Sequence, residues 1–391
     1  MRRSVETASR RRAAVLALGG VCATLAAGAE ARPRFELRPS LTLGAAHDDN
    51  VLSSAESPES DAVARLAPRL EFVARSPRLL LRASYLQEAE RFRRQRSFDS
   101  PAAARDASLA LRYRGRRGLL IESVQGYRFT RAPGQLALET GLELGRVPAT
   151  QVSSDERLTL GLGARVAARL AHRFVGDSVA GGPRGSSQSF EASLERRQGP
   201  GAALSLGYTL RRFGGDGPAA ASHVVVLGGR LALSPQVRLT FAAGPRLRGR
   251  RVEGPEADLE LRRRLEGGEL ALAYARSQAR VVGQAGVAST EMGGLRFAHD
   301  LVGPRLRFAI SPGVYQTRHP AFDATAYRLD AELVWSPARG VSLSASHQLA
   351  VVRGGPLGDV TRNLVSLRLV VETPERVSAG WGEAGARGEA E

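Results

Sequence analysis

The sequence predicts an all-β chain folded as a transmembrane antiparallel β-barrel, and three observations carry the prediction. Apolar and polar residues alternate with period two from residue 35 to 372, which sends successive side chains to opposite faces of a strand. After the amino-terminal segment no apolar run approaches the roughly 18 residues of a membrane-spanning helix. Turn residues are spaced so that 18 strands of about 19 residues each, connection included, fill the interval, which suits a membrane strand of about 9 to 11 embedded residues plus a turn.

The first 31 residues read as a secretory signal. Arg2, Arg3, Arg10, Arg11 and Arg12 form a basic start, Ala13 to Ala27 is small and apolar apart from Thr24, and Ala29-Glu30-Ala31 supplies an A-x-A cleavage site. Cleavage is expected before Arg32. The single cysteine, Cys22, lacks the preceding Leu and small residue of a lipoprotein signal, with Gly19 and Val21 in those places. No disulfide framework and no cysteine-based metal site can therefore form.

The strands follow in order. Phe35, Leu37, Leu41 and Leu43 alternate with Glu36, Arg38, Ser40 and Thr42, and Leu66, Leu70 and Phe72 with Arg65, Arg69 and Glu71. Leu79, Leu81, Tyr85 continue the pattern, as do Leu109, Leu111, Tyr113 and then Leu136, Leu138, Leu142, Leu144. The cleanest run is Leu158, Leu160, Leu162, Ala164, Val166, Ala168, Leu170, read as one strand; the helical i+3 and i+4 partners of Leu158 and Gly161 break up any helical face. Leu204, Leu206, Tyr208, Leu210 follow, then Tyr327 to Trp335, Val341 to Leu349 and Val365 to Val371.

Connection lengths favour a membrane barrel over a soluble sandwich, because outer-membrane barrels alternate short periplasmic turns with longer outside loops. Tight turns are expected at Ser76-Pro77, Arg116-Arg117, Gly199-Pro200-Gly201, Ser234-Pro235, Gly267-Gly268, Ser311-Pro312-Gly313 and Ser336-Pro337. Longer stretches lie at 46 to 62, 92 to 104, 174 to 187, 214 to 221, 251 to 256, 290 to 294 and 354 to 360. A compact Pro133-Gly134 loop and a link at 146 to 156 reverse the size rule, and 269 to 289 reads as one overlong strand. The expected organisation is a signal at 1–31, a barrel of 18 strands at 32–372 with 16 as the alternative count, and a polar tail at 373–391.

Leu41 to Ala46 followed by His47-Asp48-Asp49-Asn50-Val51 resembles the opening of the type 2 group of β-barrel porins among bacterial outer-membrane proteins, which often carry a D-D-N-V-like turn after the first strand. The unit from Tyr327 through Ser336-Pro337 to Leu343 is similar to that group's closing hairpins. The resemblance implies a porin-like barrel in the bacterial outer membrane over residues 35 to 372, and no specific activity. The chain departs from most such barrels in lacking a terminal aromatic and in its sparse Tyr and Trp.

Composition excludes other chemistry. Asp48-Asp49-Asn50 has oxygen ligands of the kind calcium uses, but without a third carboxylate close by it reads as a solvated Asx-type turn. None of the six histidines falls in a metal or hydrolase motif. Ser346 and His347 are neighbours in a strand, so alternation puts them on opposite faces and they cannot pair. No catalytic, cofactor-binding or metal residue is expected, and the chain is not expected to be an enzyme.

All 56 basic residues other than histidine are arginine, and the net charge is +17. The arginines are spread through strands without stacking aromatics beside them, which argues against nucleic acid as a partner. A lipid-facing arginine costs roughly 2 to 4 kcal/mol at the bilayer midplane. Arg65, Arg69, Arg112, Arg165, Arg169, Arg211, Arg230, Arg262, Arg264, Arg307, Arg328 and Arg368 are therefore expected in the lumen, with Glu71, Glu122, Glu139, Glu143, Glu260, Asp330 and Glu332 among them. Pairing across strands would order such a wall, and the arginine excess would favour anionic solutes.

Two function classes follow. One is a porin-like channel or structural envelope barrel with an arginine-rich lumen. The other is an export or assembly barrel for polysaccharide or surface protein, working with periplasmic partners through the tail. Outer-membrane lipid and the barrel-assembly machinery are the expected partners in either case.

Overall fold

The computed structural model describes residues 34–373, apart from 117, 137, 138 and 250; the expected signal at 1–31 and nearly all of the expected tail lie outside the described residues. The chain forms 18 strands: β1 (Arg34–Asp48), β2 (Asp61–Arg75), β3 (Leu79–Phe92), β4 (Ser100–Arg114), β5 (Leu120–Thr130), β6 (Ala149–Gly161), β7 (Val166–Val179), β8 (Gly185–Gly199) and β9 (Ala202–Gly215). They continue as β10 (Ala220–Ala232), β11 (Val237–Arg248), β12 (Arg251–Leu265), β13 (Gly268–Ala279), β14 (Ala288–Val302), β15 (Leu306–His319), β16 (Phe322–Ala338), β17 (Val341–Gly355) and β18 (Gly358–Glu372).

Each strand pairs antiparallel with its sequence neighbours, and β1 pairs with β18 from Ser40↔Glu372 to Asp48↔Leu364. The sheet is thus a closed ring without an edge, the form in which strand backbones can be satisfied in lipid. Alternation then sorts the side chains. Outward go Leu41, Leu43, Leu70, Leu206, Leu227, Leu333 and Leu367, all large apolar residues left exposed. Inward go the polar residues of the same strands. The belt of exposed leucines around a closed ring with a charged interior is the outer-membrane arrangement.

The connections fall into two ends. At the turn end, where β1 begins and β18 finishes, the links are short. At the loop end lie the longer ones: 49–60, 93–99, 131–148 and 280–287.

The expected number of strands is observed, but two of them are reassigned. The described residues of 136 to 144 form no strand: Pro133–Leu136 is a short 3-10 turn, and Leu142 is completely buried inside the ring. The run 158 to 170 is a hairpin, β6 and β7 joined across Leu162-Gly163-Ala164-Arg165. Its alternation survives the reversal because Leu158 pairs with Leu170 and Leu160 with Ala168. Paired residues share a face, and the five residues 162–166 between the last pair, Gly161 and Ala167, are an odd number, so the same parity points outward on both sides of the bend and the pattern carries no mark of it.

Connections also move: Ser336-Pro337 lies within β16, whose link to β17 is 339–340, and residues 149 to 156 of the expected 146 to 156 link lie within β6. Residues 290 to 294 lie within β14 and Ser311-Pro312-Gly313 within β15, while the true links are 280–287 and 303–305. The ladder between β14 and β15 skips the positions around Pro312, where the ring nitrogen has no hydrogen to donate. Gly313 leaves room for the Tyr315 ring, which a Cβ would approach to 3.3 Å. Residues 251 to 256 belong to β12, so the overlong strand at 269 to 289 and the loop at 251 to 256 are both replaced.

Candidate functional site

The site is the lumen, and its dominant feature is the 131–148 link between β5 and β6, which folds into the ring. It leaves β5 through Thr130, whose hydroxyl oxygen accepts from the Ala132 N–H at 3.0 Å and donates to Gln135 at 3.1 Å. It then reaches strands far around the ring. Leu142 packs with Val281, Ala288, Ala324, Ala326, Val352 and Val360. The last four are inward positions of β16, β17 and β18, where apolar residues depart from the polar-inside rule because the loop covers them.

Polar contacts fix the same segment. The Arg328 guanidinium donates to the Gly141 carbonyl at 2.9 Å and to the Glu143 carboxylate at 2.7 Å. Arg362 donates to the other Glu143 oxygen at 3.0 Å and grips Asp48 at 2.6 Å. Thr317 donates to the Thr140 carbonyl at 3.4 Å. Gly141 has a φ of 65°, and a Cβ there would stand 2.6 Å from the Tyr315 ring. Only glycine adopts that backbone at that distance without moving the ring.

The loop returns through Arg146, whose guanidinium lies 4.6 Å from the centre of the Phe92 ring and pairs with buried Glu90. Burial lowers the Arg146 pKa to about 10, with the nearby Arg65 and Arg362 charges adding to the shift. It therefore stays protonated at neutral pH, a cation held between a carboxylate and an aromatic face.

A second inward element is the 280–287 link. Its Arg280 lies 3.5 Å from the Asp177 carboxylate and donates to the Gly214 carbonyl at 3.1 Å. It crosses the backbone at Gly185, where any side chain would collide with the guanidinium. The two links and the adjoining wall enclose a cavity of about 640 Å³ that takes in Glu139, Arg173, Asp177, Glu191, Arg211 and Glu256.

The Asp48-Asp49-Asn50 turn differs from its expected solvated state. Asp48 and Asn50 are buried. Asp49 accepts from the Asn363 backbone N–H at 2.6 Å and its side-chain amide at 2.7 Å, and Asn50 donates to the Thr361 carbonyl at 3.1 Å. The turn fastens the end of the first strand to the last, at the seam where the ring closes.

The other charges expected in the lumen fall into three groups. Paired across the inner wall are Arg65 with Glu90 at 3.1 Å, Arg112 with Glu122 at 3.3 Å, Arg211 with Glu256 at 2.5 Å and Arg262 with Glu260 at 2.9 Å. Glu195 holds both Arg169 at 2.8 Å and Arg230 at 2.9 Å, Glu71 holds Arg82 at 2.9 Å, and Asp330 accepts from Gln348. Arg69, Arg264, Arg307, Arg368 and Glu332 make no ion pair among the described residues. Arg165 sits in the β6–β7 turn rather than on a strand, and Glu139 and Glu143 sit in the inward loop, Glu139 3.8 Å from Arg173. Ser346 points inward and bonds Ser366 at 2.6 Å, while His347 pairs in register with Ala331 and Val365 on the outer face.

Sequence reading missed Asp48, Glu90, Arg146, Glu195, Arg280 and Arg362. Parity would have found Glu90, Glu195 and Arg362, which share the inward phase of their strands. Arg146 and Arg280 lie in links, where alternation gives no signal.

A closed 18-strand ring with an apolar outer belt and a charged, loop-narrowed interior defines an outer-membrane β-barrel protein. No protein-family model and no curated protein matches the chain. Among solved structures it is similar to OccAB4 of Acinetobacter baumannii, at 11% identity and a TM-score of 0.47, covering 87% of this chain and 98% of that one. It is similar also to OpdQ of Pseudomonas aeruginosa at 9% identity and 0.47, over 89% and 98%. A third is OccK2 (OpdF) of Pseudomonas aeruginosa at 12% identity and 0.48, over 88% and 98%.

Proposed function

We propose that the protein is a porin-like channel through which small anionic solutes cross the outer membrane. The observation that carries the reading is the pair formed by a lumen narrowed at one end and a set of exposed arginines at the other. The 131–148 link spans the ring and is held by ion pairs, so solutes pass beside it rather than through an unobstructed bore. Beyond it Arg69, Arg264, Arg307 and Arg368 are exposed on the inner wall without an ion pair among the described residues, with Glu269 and Asp300 across the ladder from Arg264 and Arg307. Fixed positive charge on a water-filled wall raises the local anion concentration and lowers that of cations. The Asp48 to Val51 turn, similar to that of type 2 β-barrel porins, points to the same class.

The test is a reversal-potential measurement on the purified protein in a planar bilayer under a salt gradient. Anion preference that weakens as ionic strength rises is expected, since the screening length is about 10 Å at 0.1 M. Cation preference in an open channel would refute the charge assignment. A barrel that inserts but does not conduct would turn the reading to the export or assembly class.

A further inference from the structure

Polar residues gather in the outer belt on one face, whereas His347 on β17 stands outward as a lone polar side chain between Ala331 and Val365. Near the middles of β5, β6 and β7 the outward positions are Ser123, Gln125, Ser154, Glu156 and His172, where the other strands carry residues such as Leu70, Leu227, Leu261 and Val365. Glu156 is a carboxylate on the outer face near the middle of its strand, and its side chain is 49% exposed; Glu291, also outward, lies nearer the loop end of β14 and accepts from Tyr274 at 2.9 Å. The lipid-facing surface continues on both sides of it. Leu158 and Leu170 lie toward the turn end, and Val152, Tyr127 and Phe190 toward the loop end. The cluster is thus within the bilayer and not above it.

Its hydrogen bonds are partly made. The Gln125 amide donates to Ser154 at 3.0 Å and to Glu156 at 3.3 Å, and Ser154 donates to the same Glu156 oxygen at 3.1 Å. His172 Nδ1 lies 3.4 Å from the second Glu156 oxygen, with its ring stacked on Phe190. His172 Nε2 and the Gln125 carbonyl have no protein partner among the described residues. Ionisable and amide groups within a membrane normally meet other polar groups, and lipid tails offer none.

We propose that the outer face of β5, β6 and β7 is an interface between copies of this chain, seated on the Gln125, Ser154, Glu156 and His172 cluster. The occupant must itself lie inside the bilayer and present polar groups at the same depth, and this chain does so on this face. The cluster is self-complementary: His172 Nε2 of one copy can donate to the Gln125 carbonyl or the Glu156 carboxylate of another. A symmetric contact needs such a match of a surface with itself or a near neighbour. The same hairpin carries the inward 131–148 loop between its strands, so the contact would brace the wall from which that loop springs.

The experiment uses the whole barrel in outer membranes, in a Cys22→Ser background so that introduced thiols stand alone. Val152→Cys, beside the cluster, is treated with a bis-maleimide, and Leu333→Cys, outward on β16, is the control. A covalent product at a multiple of the chain mass is expected for Val152→Cys and not for Leu333→Cys. In parallel the protein extracted in mild detergent is weighed by native mass spectrometry. An oligomer is expected, with loss to single chains when Gln125, Glu156 and His172 are all replaced by Leu. Retained heat-modifiability on gels shows that this variant is still a folded barrel. A single-chain mass for the unaltered protein, cross-linking that does not distinguish the two sites, an oligomer that survives the triple change, or a product linked to a different protein would each overturn the proposal.

Discussion

At the loop end of the lumen Asp48, Glu90, Glu143, Asp177 and Glu256 are all buried, and each lies against an arginine. At the turn end Arg69, Arg264, Arg307 and Arg368 are exposed and touch no acid among the described residues. The residue types are the same, but the surroundings differ. Covered by the two inward links, a charge at the loop end must be matched or its desolvation goes uncompensated. On an open wall, water and counter-ions do the matching and the charge stays available to a passing solute. What covers a charge, more than residue type, separates those that build the protein from those open to its contents: the inward links at the loop end, and paired arginines around buried Glu195 near the turn end.

The sharpest way to break this contrast uses two arginines on one strand and one face. Arg362→Ala leaves the Asp48 and Glu143 carboxylates, 4% and 9% exposed, without their shared cation. Removing one partner of such a buried set costs about 3 to 5 kcal/mol. Arg368→Ala, lower on β18, removes a charge with no partner, and about 0.5 kcal/mol or less is expected. Urea unfolding of the refolded barrels, followed by heat-modifiability, measures both. Equal losses would mean that the two ends do not differ in the way described.

The next largest effect concerns the apolar anchor of the loop. Leu142→Ala removes a completely buried side chain from among Val281, Val352 and Val360, a change of about 2 kcal/mol or more. Because Leu142 sits in a link and not in the wall, the loss should appear as loosening of the 131–148 segment. Larger and noisier single-channel conductance with an intact barrel is the expected result, and an unchanged current trace would show that the loop does not limit the path. Gly141→Ala is the milder variant. A Cβ costs about 1 to 2 kcal/mol in the left-handed backbone and also strikes Tyr315. Adding Tyr315→Ala should restore only the steric part.

How far these two ends were legible in the sequence follows from what alternation can report. The wall was readable, strand by strand, because a lipid-facing side needs apolar residues at every second position, and Leu41, Leu43, Leu70 and Leu206 supply them. Reversals were not always readable, as the β6–β7 hairpin shows, since an odd number of residues between paired positions preserves parity. The inward loop left its mark elsewhere than in its own residues. Ala324, Ala326, Val352 and Val360 occupy inward positions where water should face a polar group, and a lumen wall that turns apolar has something covering it. Val351 and Val352, apolar on both faces in succession, were the readable sign. The Leu136 to Leu144 spacing imitated a strand because Leu142 is buried against a wall, as a strand residue would be. Partners such as Arg146 with Glu90 and Arg280 with Asp177 depend on where a link folds, which period-two patterning does not encode.

The smallest expected effect on stability is the most informative about transport. Arg307→Ser and Arg368→Ser together should leave the unfolding midpoint nearly unchanged, within about 0.5 kcal/mol for surface substitutions that break no contact. The same pair removes two of the positive charges that the wall presents to water. Their field acts on ions over a distance set by salt, about 10 Å at 0.1 M and about 3 Å at 1 M. The reversal potential in a gradient at low salt should therefore shift toward zero in the double variant, and the difference from the unaltered protein should fade in molar salt. Arg328→Ser is the counterpart from the other end. It releases Glu143 and the Gly141 carbonyl, so it should disturb conductance and stability and should not simply reduce selectivity. A double variant that loses stability but keeps its reversal potential would invert the assignment, making the turn-end arginines structural and sending the search for the selective charge back to the loop.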